Sequence, residues 1–313
     1  MRAIGVPAAG QLDALGPVEV EEPSGEVRVR VVCSAVNPAD HKVLGGQFAG
    51  RVLHARTKPL VTGYDFAGVV EADVADLKAG DEVFGHLPYT SKNHQGAFAE
   101  RIAVPRAEIA KKPAGVGADV AAAAATPALT ALQSLRDKGR LKAGGRVLVT
   151  GASGGVGSIA IGVARALDAK VTAVCSTHAV EFVKELGADE VVDRKVRDPK
   201  TLEGPFDVVF DAAAAYSYAT FRHALAPGGG YVSTLPDAGW VGGKLLATFS
   251  SKHTHFVVVK SARADLEQIA GWLAADMKVP IDSRFPVADL RAALARQASG
   301  EVRGRVVIDV AFA

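Results

Sequence analysis

The sequence predicts an α/β protein that combines a doubly wound parallel sheet with a separate, compact β-barrel domain. Residues 1–118 consist of short β-like runs broken by Gly and Pro, with no convincing helical pattern. From about residue 119 the pattern changes to alternating strands and helices. Unbroken runs of Val and Phe, such as "FDVVFDA" at 206–212, are typical of parallel strands that are buried on both faces.

The first part of the chain supplies the predicted barrel. Its short strands, separated by turn residues at regular spacing, favour a small barrel. The runs are "EVRVRVVCSAVNP", "FAGVVEADV", "GDEVFGHLP" and "FAERIAVP". Two helical patterns and a closing strand, "GRVVIDV", follow the α/β part, and we expect this tail to fold back onto the barrel. The predicted domains are therefore 1–118 with 261–313, and 119–260.

The α/β part reads as strand, helix and strand in turn, and Gly187 ends one of the helices. The order predicts a doubly wound sheet of about six strands. The predicted strands are "GRVLVT" (145–150), "KVTAVCS" (170–176), "EVVD" (190–193), "FDVVFDA" (206–212), "GGYVST" (229–234) and "HFVVVK" (255–260).

Composition excludes several classes of protein. The 313 residues carry a net charge of +2 with acids and bases mixed, so no basic stripe predicts binding to nucleic acid or to an anionic membrane. No signal-peptide core is present, and no run approaches the roughly 18 apolar residues of a membrane span. The two cysteines, Cys33 and Cys175, exclude a disulfide framework and a four-cysteine zinc lobe. We expect a cytoplasmic enzyme.

The strongest local signal is a glycine-rich turn between a predicted strand and a predicted helix, in "VLVTGASGGVGSIAIGVARAL". This is the context in which a dinucleotide-binding fingerprint has meaning, although a tight turn without a ligand is the alternative. Gly154 lets the backbone approach a pyrophosphate, and Gly157 allows the helix to pack closely on the strand. The predicted cofactor-binding residues of this turn are Ala152, Ser153, Gly154, Gly155, Val156 and Gly157.

The next strand favours NADP(H) over NAD(H). An NAD site usually has Asp or Glu about 20 residues after the fingerprint, whereas this chain has Ser176, Thr177 and His178 there. Hydroxyl and imidazole groups accept a 2′-phosphate that a carboxylate would repel. Arg194 and Lys195, after the following strand, are either phosphate clamps, adenine-stacking groups or solvated loop cations.

Nine stretches in order give the chain a resemblance to the zinc-free branch of the medium-chain dehydrogenases/reductases, which includes quinone oxidoreductases, ζ-crystallin and alkenal/enone oxidoreductases. The resemblance implies a GroES-like catalytic barrel, a Rossmann domain, an active site between them, and a homodimer or tetramer formed through the Rossmann sheet. The stretches are 36–46, 59–70, 77–85, 96–100, 121–132, 151–161, 186–193, 206–212 and 225–234.

The same resemblance bears on metal binding. Zinc-dependent relatives carry Cys where this chain has Asn37, and His-Glu where it has Tyr64-Asp65. A catalytic zinc needs three protein ligands, so we predict no metal site and disfavour alcohol dehydrogenation. A substitute site made of Asp40, His41 and Asp65 is the less favoured alternative. We expect Asp65 to accept hydrogen bonds from nearby backbone or from a basic side chain.

Residue roles near the nicotinamide are implied by resemblance only. Asn37 and Tyr64 would hydrogen-bond the carbonyl oxygen of the acceptor as catalytic residues, unless they only shape a turn and pack in a strand. Thr130, Phe256 and Val258 would contact the nicotinamide end of the cofactor, unless Thr130 only bonds back to its own helix.

The loop "FGHLPY" would place His86 and Tyr89 at the substrate cleft. The expected activity is hydride transfer from NADPH to a quinone. The alternatives are an enone or alkenal (enoyl) reductase, with Tyr64 as the acid, and an NADPH-binding structural protein without turnover.

Overall fold

The computed structural model describes residues 1–236, 240–248 and 250–312. The chain divides into two compact units. Unit 1 comprises Met1–Thr126 and Val259–Ala313, and unit 2 comprises Pro127–Val258. The sequence predicted the two boundaries between the units after residue 118 and at residue 261.

The strands are β1 (Arg2–Gly5), β2 (Gly16–Glu19), β3 (Val27–Ala35), β4 (Asp65–Val70), β5 (Glu82–His86), β6 (Arg101–Val104), β7 (Ile109–Lys111), β8 (Arg146–Thr150), β9 (Lys170–Cys175), β10 (Glu190–Asp193), β11 (Phe206–Asp211), β12 (Leu225–Ser233), β13 (His253–Phe256), β14 (Ile281–Pro286) and β15 (Arg305–Asp309). The α-helices are α1 (Pro38–Leu44), α2 (Gly50–Leu53), α3 (Ala118–Leu132), α4 (Gly155–Ala166), α5 (Val180–Glu185), α6 (Tyr218–Phe221), α7 (Trp240–Thr248), α8 (Arg263–Ala274) and α9 (Leu290–Ala298).

Among the described residues of unit 2, six parallel strands form one sheet in the order β10-β9-β8-β11-β12-β13. The interior residues of its central strands, such as Val147–Val149 and Val208–Phe210, have no exposed surface, because helices and loops cover both faces of the sheet. The predicted doubly wound parallel sheet is confirmed. One strand differs: β13 covers His253–Phe256 rather than 255–260, and Val258 lies beyond its end, 56% exposed.

Unit 1 contains the second large sheet, in the order β14-β15-β3-β4-β5-β7, with β6 also paired to β3. Its pairs are antiparallel except for β14 with β15. Burial alternates along Val27–Val31 of β3, since one face of the sheet covers the apolar core of this unit. The closing strand β15 pairs with β3 across most of the length of the chain, which makes unit 1 discontinuous.

Residues 1–118 show no convincing helical pattern in the sequence, yet the structure contains the four-residue α2 and, before it, the helix α1. This seven-residue helix is too short to show an apolar period, but its capping residues are visible in the sequence. Asn37 is the N-cap, Pro38 occupies the first turn, and the Asp40 carboxylate accepts a hydrogen bond from the Asn37 N–H at 2.7 Å. Asn37 therefore has a structural position as well as a predicted catalytic one.

Within the described residues, no helix is both long enough and apolar enough to cross a membrane.

Candidate active site

The glycine-rich turn of unit 2 lies at the carboxyl edge of its sheet, between β8 and α4. The strand order runs outward from β8 through β9 on one side and from β11 through β12 on the other. In open α/β sheets, ligands bind outside the carboxyl ends of the strands at this change of direction. The topology therefore places the predicted dinucleotide loop where a cofactor would bind.

Two positions of the loop favour glycine, one by its backbone conformation and one by close packing. Gly151 has a φ of +66°, and the Ala152 N–H donates to the Val174 carbonyl oxygen of the neighbouring strand at 3.0 Å. A Cβ on Gly157 would collide with the Gly151 carbonyl oxygen, whereas a Cβ on Gly154 would have no neighbour closer than 3.5 Å. Gly157 is thus required by packing and Gly154 leaves open space. Sequence reasoning missed the role of Gly151, although a glycine directly after a strand was its signal.

A buried carboxylate behind the loop holds three strand ends together. Asp211 accepts hydrogen bonds from the Thr150 hydroxyl at 2.6 Å, the Tyr231 hydroxyl at 2.8 Å and the Tyr216 N–H at 2.7 Å. Thr150 immediately precedes the glycine-rich turn, so this network fixes the point at which the turn leaves the sheet. The sequence offered no local signal for it, because Asp211 reads as an ordinary strand end.

Two of the residues predicted to recognise the 2′-phosphate are in direct contact. The Arg194 Nε donates to the Ser176 hydroxyl at 3.0 Å, and the Arg194 N–H donates to the Cys175 carbonyl oxygen. Thr177 and His178 follow in an exposed 3₁₀ turn beside them. An exposed guanidinium in contact with a hydroxyl group has the chemistry that binds a phosphate.

The remaining predicted cofactor residues are spread along unit 2. Phe256 ends β13, in register with Ser233, and is half-buried at the same carboxyl edge of the sheet. Thr130 is buried in α3. Val258 is exposed beyond β13. Their contacts with a nicotinamide stay predictions.

In unit 1, strand register brings a buried carboxylate together with its partners. Asp65 has no exposed surface and lies opposite Ala35 of β3. It accepts hydrogen bonds from the Thr126 N–H at 2.6 Å, the Asn37 Nδ2 at 2.8 Å and the Arg305 guanidinium at 2.5 Å. Burial raises the pKa of Asp65, and the charge of Arg305 with the other donors opposes that rise. Asp65 thus has both kinds of partner expected from the sequence, backbone and a basic side chain.

The donor set around Asp65 does not fit a catalytic zinc. A guanidinium already neutralises Asp65, and the Asp40 carboxylate accepts from the N–H groups of Asn37 and Gly63. The third member of the alternative site, His41, bonds a backbone carbonyl oxygen through Nε2. Across the described ranges, no group of three His, Cys, Asp or Glu residues could hold a metal ion.

Beside Asp65 lies a cluster of two phenols and two imidazoles. Tyr64 is fully buried, its hydroxyl is 3.3 Å from His54 Nδ1, and its ring lies 4.5 Å from the half-buried ring of Tyr89. His86 Nδ1 is 2.6 Å from the Thr126 hydroxyl. Tyr89, not Tyr64, is the member of this cluster with accessible surface. The predicted catalytic phenol therefore lies beneath a second aromatic ring.

Burial keeps this cluster uncharged. It raises the pKa of Tyr64 far above the usual range of a phenol, lowers the pKa of His54 to about 4 and lowers the pKa of His86 to about 3. Near neutral pH, Tyr64 is a protonated hydroxyl and each imidazole carries one N–H. Sequence reasoning missed His54 and Arg305, since neither belongs to a motif and Arg305 is 240 residues from its partner.

Two family models match the chain. The model of the alcohol dehydrogenase GroES-like domain matches residues 23–114, and the model of the zinc-binding dehydrogenase matches residues 186–308.

The chain is 32% identical to a chloroplast envelope quinone oxidoreductase homolog of Arabidopsis thaliana, over 96% of this chain and 94% of that protein. It is 30% identical to a trans-enoyl reductase of Aspergillus terreus, over 91% of this chain and 86% of that protein. Among solved structures, the quinone oxidoreductase from Coxiella burnetii superimposes with a TM-score of 0.87 at 25% identity, and 99% of each chain is covered.

Proposed function

The chain belongs to the medium-chain dehydrogenase/reductase family, in its quinone oxidoreductase branch, and we propose that it transfers hydride from NADPH to a quinone. An oxidoreductase that uses a nicotinamide cofactor follows from the family itself. The single observation that carries the choice of NADPH is the contact between Ser176 and Arg194 beyond the second strand of the dinucleotide fold. Similarity to a quinone oxidoreductase homolog supports a quinone as the acceptor by analogy.

The residues of unit 2 fit the cofactor. The open space above Gly154 lets a pyrophosphate approach the backbone, and the N–H groups of Gly155 and Val156 begin a twelve-residue helix whose dipole favours an anion. Arg194 would form a charge-assisted bond with the 2′-phosphate, and Ser176 would orient the guanidinium. When bound, the cofactor supplies the hydride.

The proposed reaction does not require zinc. A quinone or an enone is already electron-poor, so its reduction needs orientation and stabilisation of the developing oxyanion rather than a Lewis acid. The donor set supports this, because Asn37 and Tyr64 offer an amide and a phenol where zinc would need strong ligands. Asp65, Arg305 and the backbone of α1 would hold Asn37 in place.

Tyr64 would donate a hydrogen bond to the acceptor oxygen. Asn37 would donate a second one with the Nδ2 hydrogen that now makes a 3.3 Å bond to the Ala35 carbonyl oxygen. In the structure the ring of Tyr89 covers Tyr64, so the proposal requires that the acceptor displaces Tyr89 and takes its place over the phenol. When the acceptor displaces Tyr89, Tyr64 loses its contact with that ring. A flat quinone in the same place would stack on Tyr64 and replace the lost aromatic contact.

The second candidate is an enone or enoyl reductase. It is favoured by similarity to a trans-enoyl reductase. Reduction of a carbon–carbon double bond needs a proton delivered next to the hydride, and Tyr64 is the acid that we assign to this step.

One experiment separates these functions. Consumption of NADPH and of NADH is measured with small quinones and with 2-alkenals, for the wild type, for Tyr64→Phe and for Tyr218→Phe as a control phenol in unit 2. We expect quinone turnover with a preference for NADPH. Loss of alkenal turnover alone in Tyr64→Phe supports the proton-donor role. A protein that binds NADPH and oxidises none with either class of acceptor would be a binding protein, and the enzyme proposal would fail.

The oligomer and location stay part of the proposal. β13 is one of the two outer strands of the unit 2 sheet among the described residues, and pairing of two β13 edges would give the homodimer that the family resemblance implies. Light scattering of the purified protein tests it. A cytoplasmic location stays a prediction.

A further inference from the structure

His54 is a buried imidazole that the proposed reaction has not used. His54 exposes 1% of its surface, and its Nδ1 lies 3.3 Å from the Tyr64 hydroxyl oxygen. No other hydrogen-bond partner of that hydroxyl is found among the described residues. The second nitrogen of the ring, Nε2, is buried and has no hydrogen-bond partner among the residues that the structure describes. A buried polar atom without a partner is costly, so an explanation is needed.

A small cavity lies beside this imidazole. It has a volume of about 20 Å³, is lined by His54, and extends to the exposed residues Gln47 and Arg51. A cavity of this kind needs roughly 10–15 Å³ to hold one water molecule, and the water needs polar partners on its walls. Tyr64 does not line the cavity, so the imidazole separates the cavity from the phenol.

We propose that His54 is the positioning residue of Tyr64, with its single hydrogen on Nδ1 and donated to the Tyr64 oxygen. A hydrogen on Nε2 would instead be a buried donor without a partner among the described residues, which is costly. This inference rests on the proposed function, in which Tyr64 gives its proton to the reduced acceptor. The hydrogen bond made by one ring nitrogen of a histidine sets which tautomer is present. With its oxygen occupied as an acceptor, the phenol has its own O–H free to donate to the acceptor molecule.

The neutral state of His54 makes the tautomer decisive. Burial, and secondarily the charge of His94, lower the pKa of His54 to about 4. The ring therefore carries a single N–H at neutral pH. If that hydrogen were on Nε2, Nδ1 would accept from Tyr64 and the phenol proton would point away from any acceptor.

The proton balance of the step is simple. The hydride brings two electrons to the acceptor and leaves one negative charge on its oxygen. The Tyr64 O–H bond then breaks, its proton moves to that oxygen or to the neighbouring carbon of an enolate, and a phenolate is left. The His54 Nδ1–H bond stays intact and stabilises the phenolate charge. After the product leaves, a solvent proton restores the phenol.

The first test needs no activity. Two-bond ¹H–¹⁵N correlation spectra of the protein labelled at its histidines report the tautomer of each ring, and the His54 signals are assigned by their loss in His54→Gln. We expect a neutral His54 with the hydrogen on Nδ1 at neutral pH. A hydrogen on Nε2 would overturn the inference and leave the proposed function untouched.

The second test is a double-mutant cycle on the reduction of a 2-alkenal or quinone, whichever the wild type turns over. We expect His54→Leu to lower kcat about ten- to a hundredfold, the loss expected for a hydrogen bond to a charged group, with little change in KM. His54→Gln, whose amide can still donate, should restore part of it. In the Tyr64→Phe background, His54→Leu should cost less than about twofold.

Equal losses with and without Tyr64 would show that His54 acts only on the fold, and the inference would fail. His223→Gln, at an exposed histidine of unit 2, serves as the control and should leave kcat unchanged. Absence of turnover in the wild type with every acceptor would refute the proposed function instead, while the tautomer measurement would still decide the position of the His54 hydrogen.

Discussion

Replacement of Asp65 by Asn tests the buried ion pair on which the candidate acceptor site rests. Asp65 is fully buried and Arg305 is only 4% exposed, so the substitution leaves a guanidinium charge in the interior without its counter-charge. Removal of one partner from a buried pair costs about 3–5 kcal/mol. The Asn side chain keeps one acceptor oxygen for the Thr126 N–H or the Asn37 amide, so we expect the lower half of that range.

The assay is urea unfolding followed by circular dichroism. The control is Asp73→Asn, because Asp73 and Lys78 form an ion pair whose side chains are 61% and 69% exposed, so that solvent screens it and its loss should change stability little. We also expect the double variant Asp65→Asn with Arg305→Met to be more stable than Asp65→Asn alone. A loss below 1 kcal/mol in Asp65→Asn would refute the reasoning, since it would show that Asp65 does not neutralise Arg305.

The loop glycines should separate binding from folding. We expect Gly154→Ala to weaken NADPH binding in calorimetry while its unfolding free energy stays within about 0.5 kcal/mol of wild type, and Gly157→Ala to lower stability as well. Arg194→Gln should raise the KM for NADPH about tenfold and leave that for NADH unchanged, because a charge-assisted phosphate contact of about 1.5 kcal/mol is lost; an equal change for both would contradict the assignment. The pKa values of His54 and His86, lowered from 6.5 to about 4 and about 3, mean that the unfolded chain binds more protons below pH 6.5. As the pH is lowered below 6.5, the free energy of unfolding should therefore fall by about 1.4 kcal/mol per pH unit for each histidine. In urea unfolding between pH 6 and pH 4, the His86→Phe variant should show a pH dependence that is smaller by the contribution of one histidine.

Two features that the prediction missed have local signals in the sequence. The Asn-Pro-x-Asp capping pattern of α1 and the glycine that directly follows β8 are local signals, and both have a mechanical meaning that does not depend on distant residues. The early end of β13 is a boundary effect, because an apolar run does not show where its pairing partner stops.

The sequence named Tyr64, His86 and Tyr89 as site residues, but it did not predict His54 or the contacts that join the four side chains. Strand register places Asp65 opposite both Ala35 and His86, and a shift of one residue would turn each side chain to the other face of the sheet. A sequence pattern gives the period of a strand but not its register with another strand. The contact of Tyr89, in the loop after β5, with Tyr64 likewise had no signal in the sequence.

The sequence by itself determined the α/β alternation, the glycine-rich turn and the polar end of the following strand, because these depend on residues that are neighbours along the chain. Only the tertiary structure decided that Arg305 neutralises Asp65 and that His54 lies between Tyr64 and a small cavity. These contacts join strands and loops that are far apart in sequence, and the cost of burying a charge or a polar atom is set by the partners that folding brings to it.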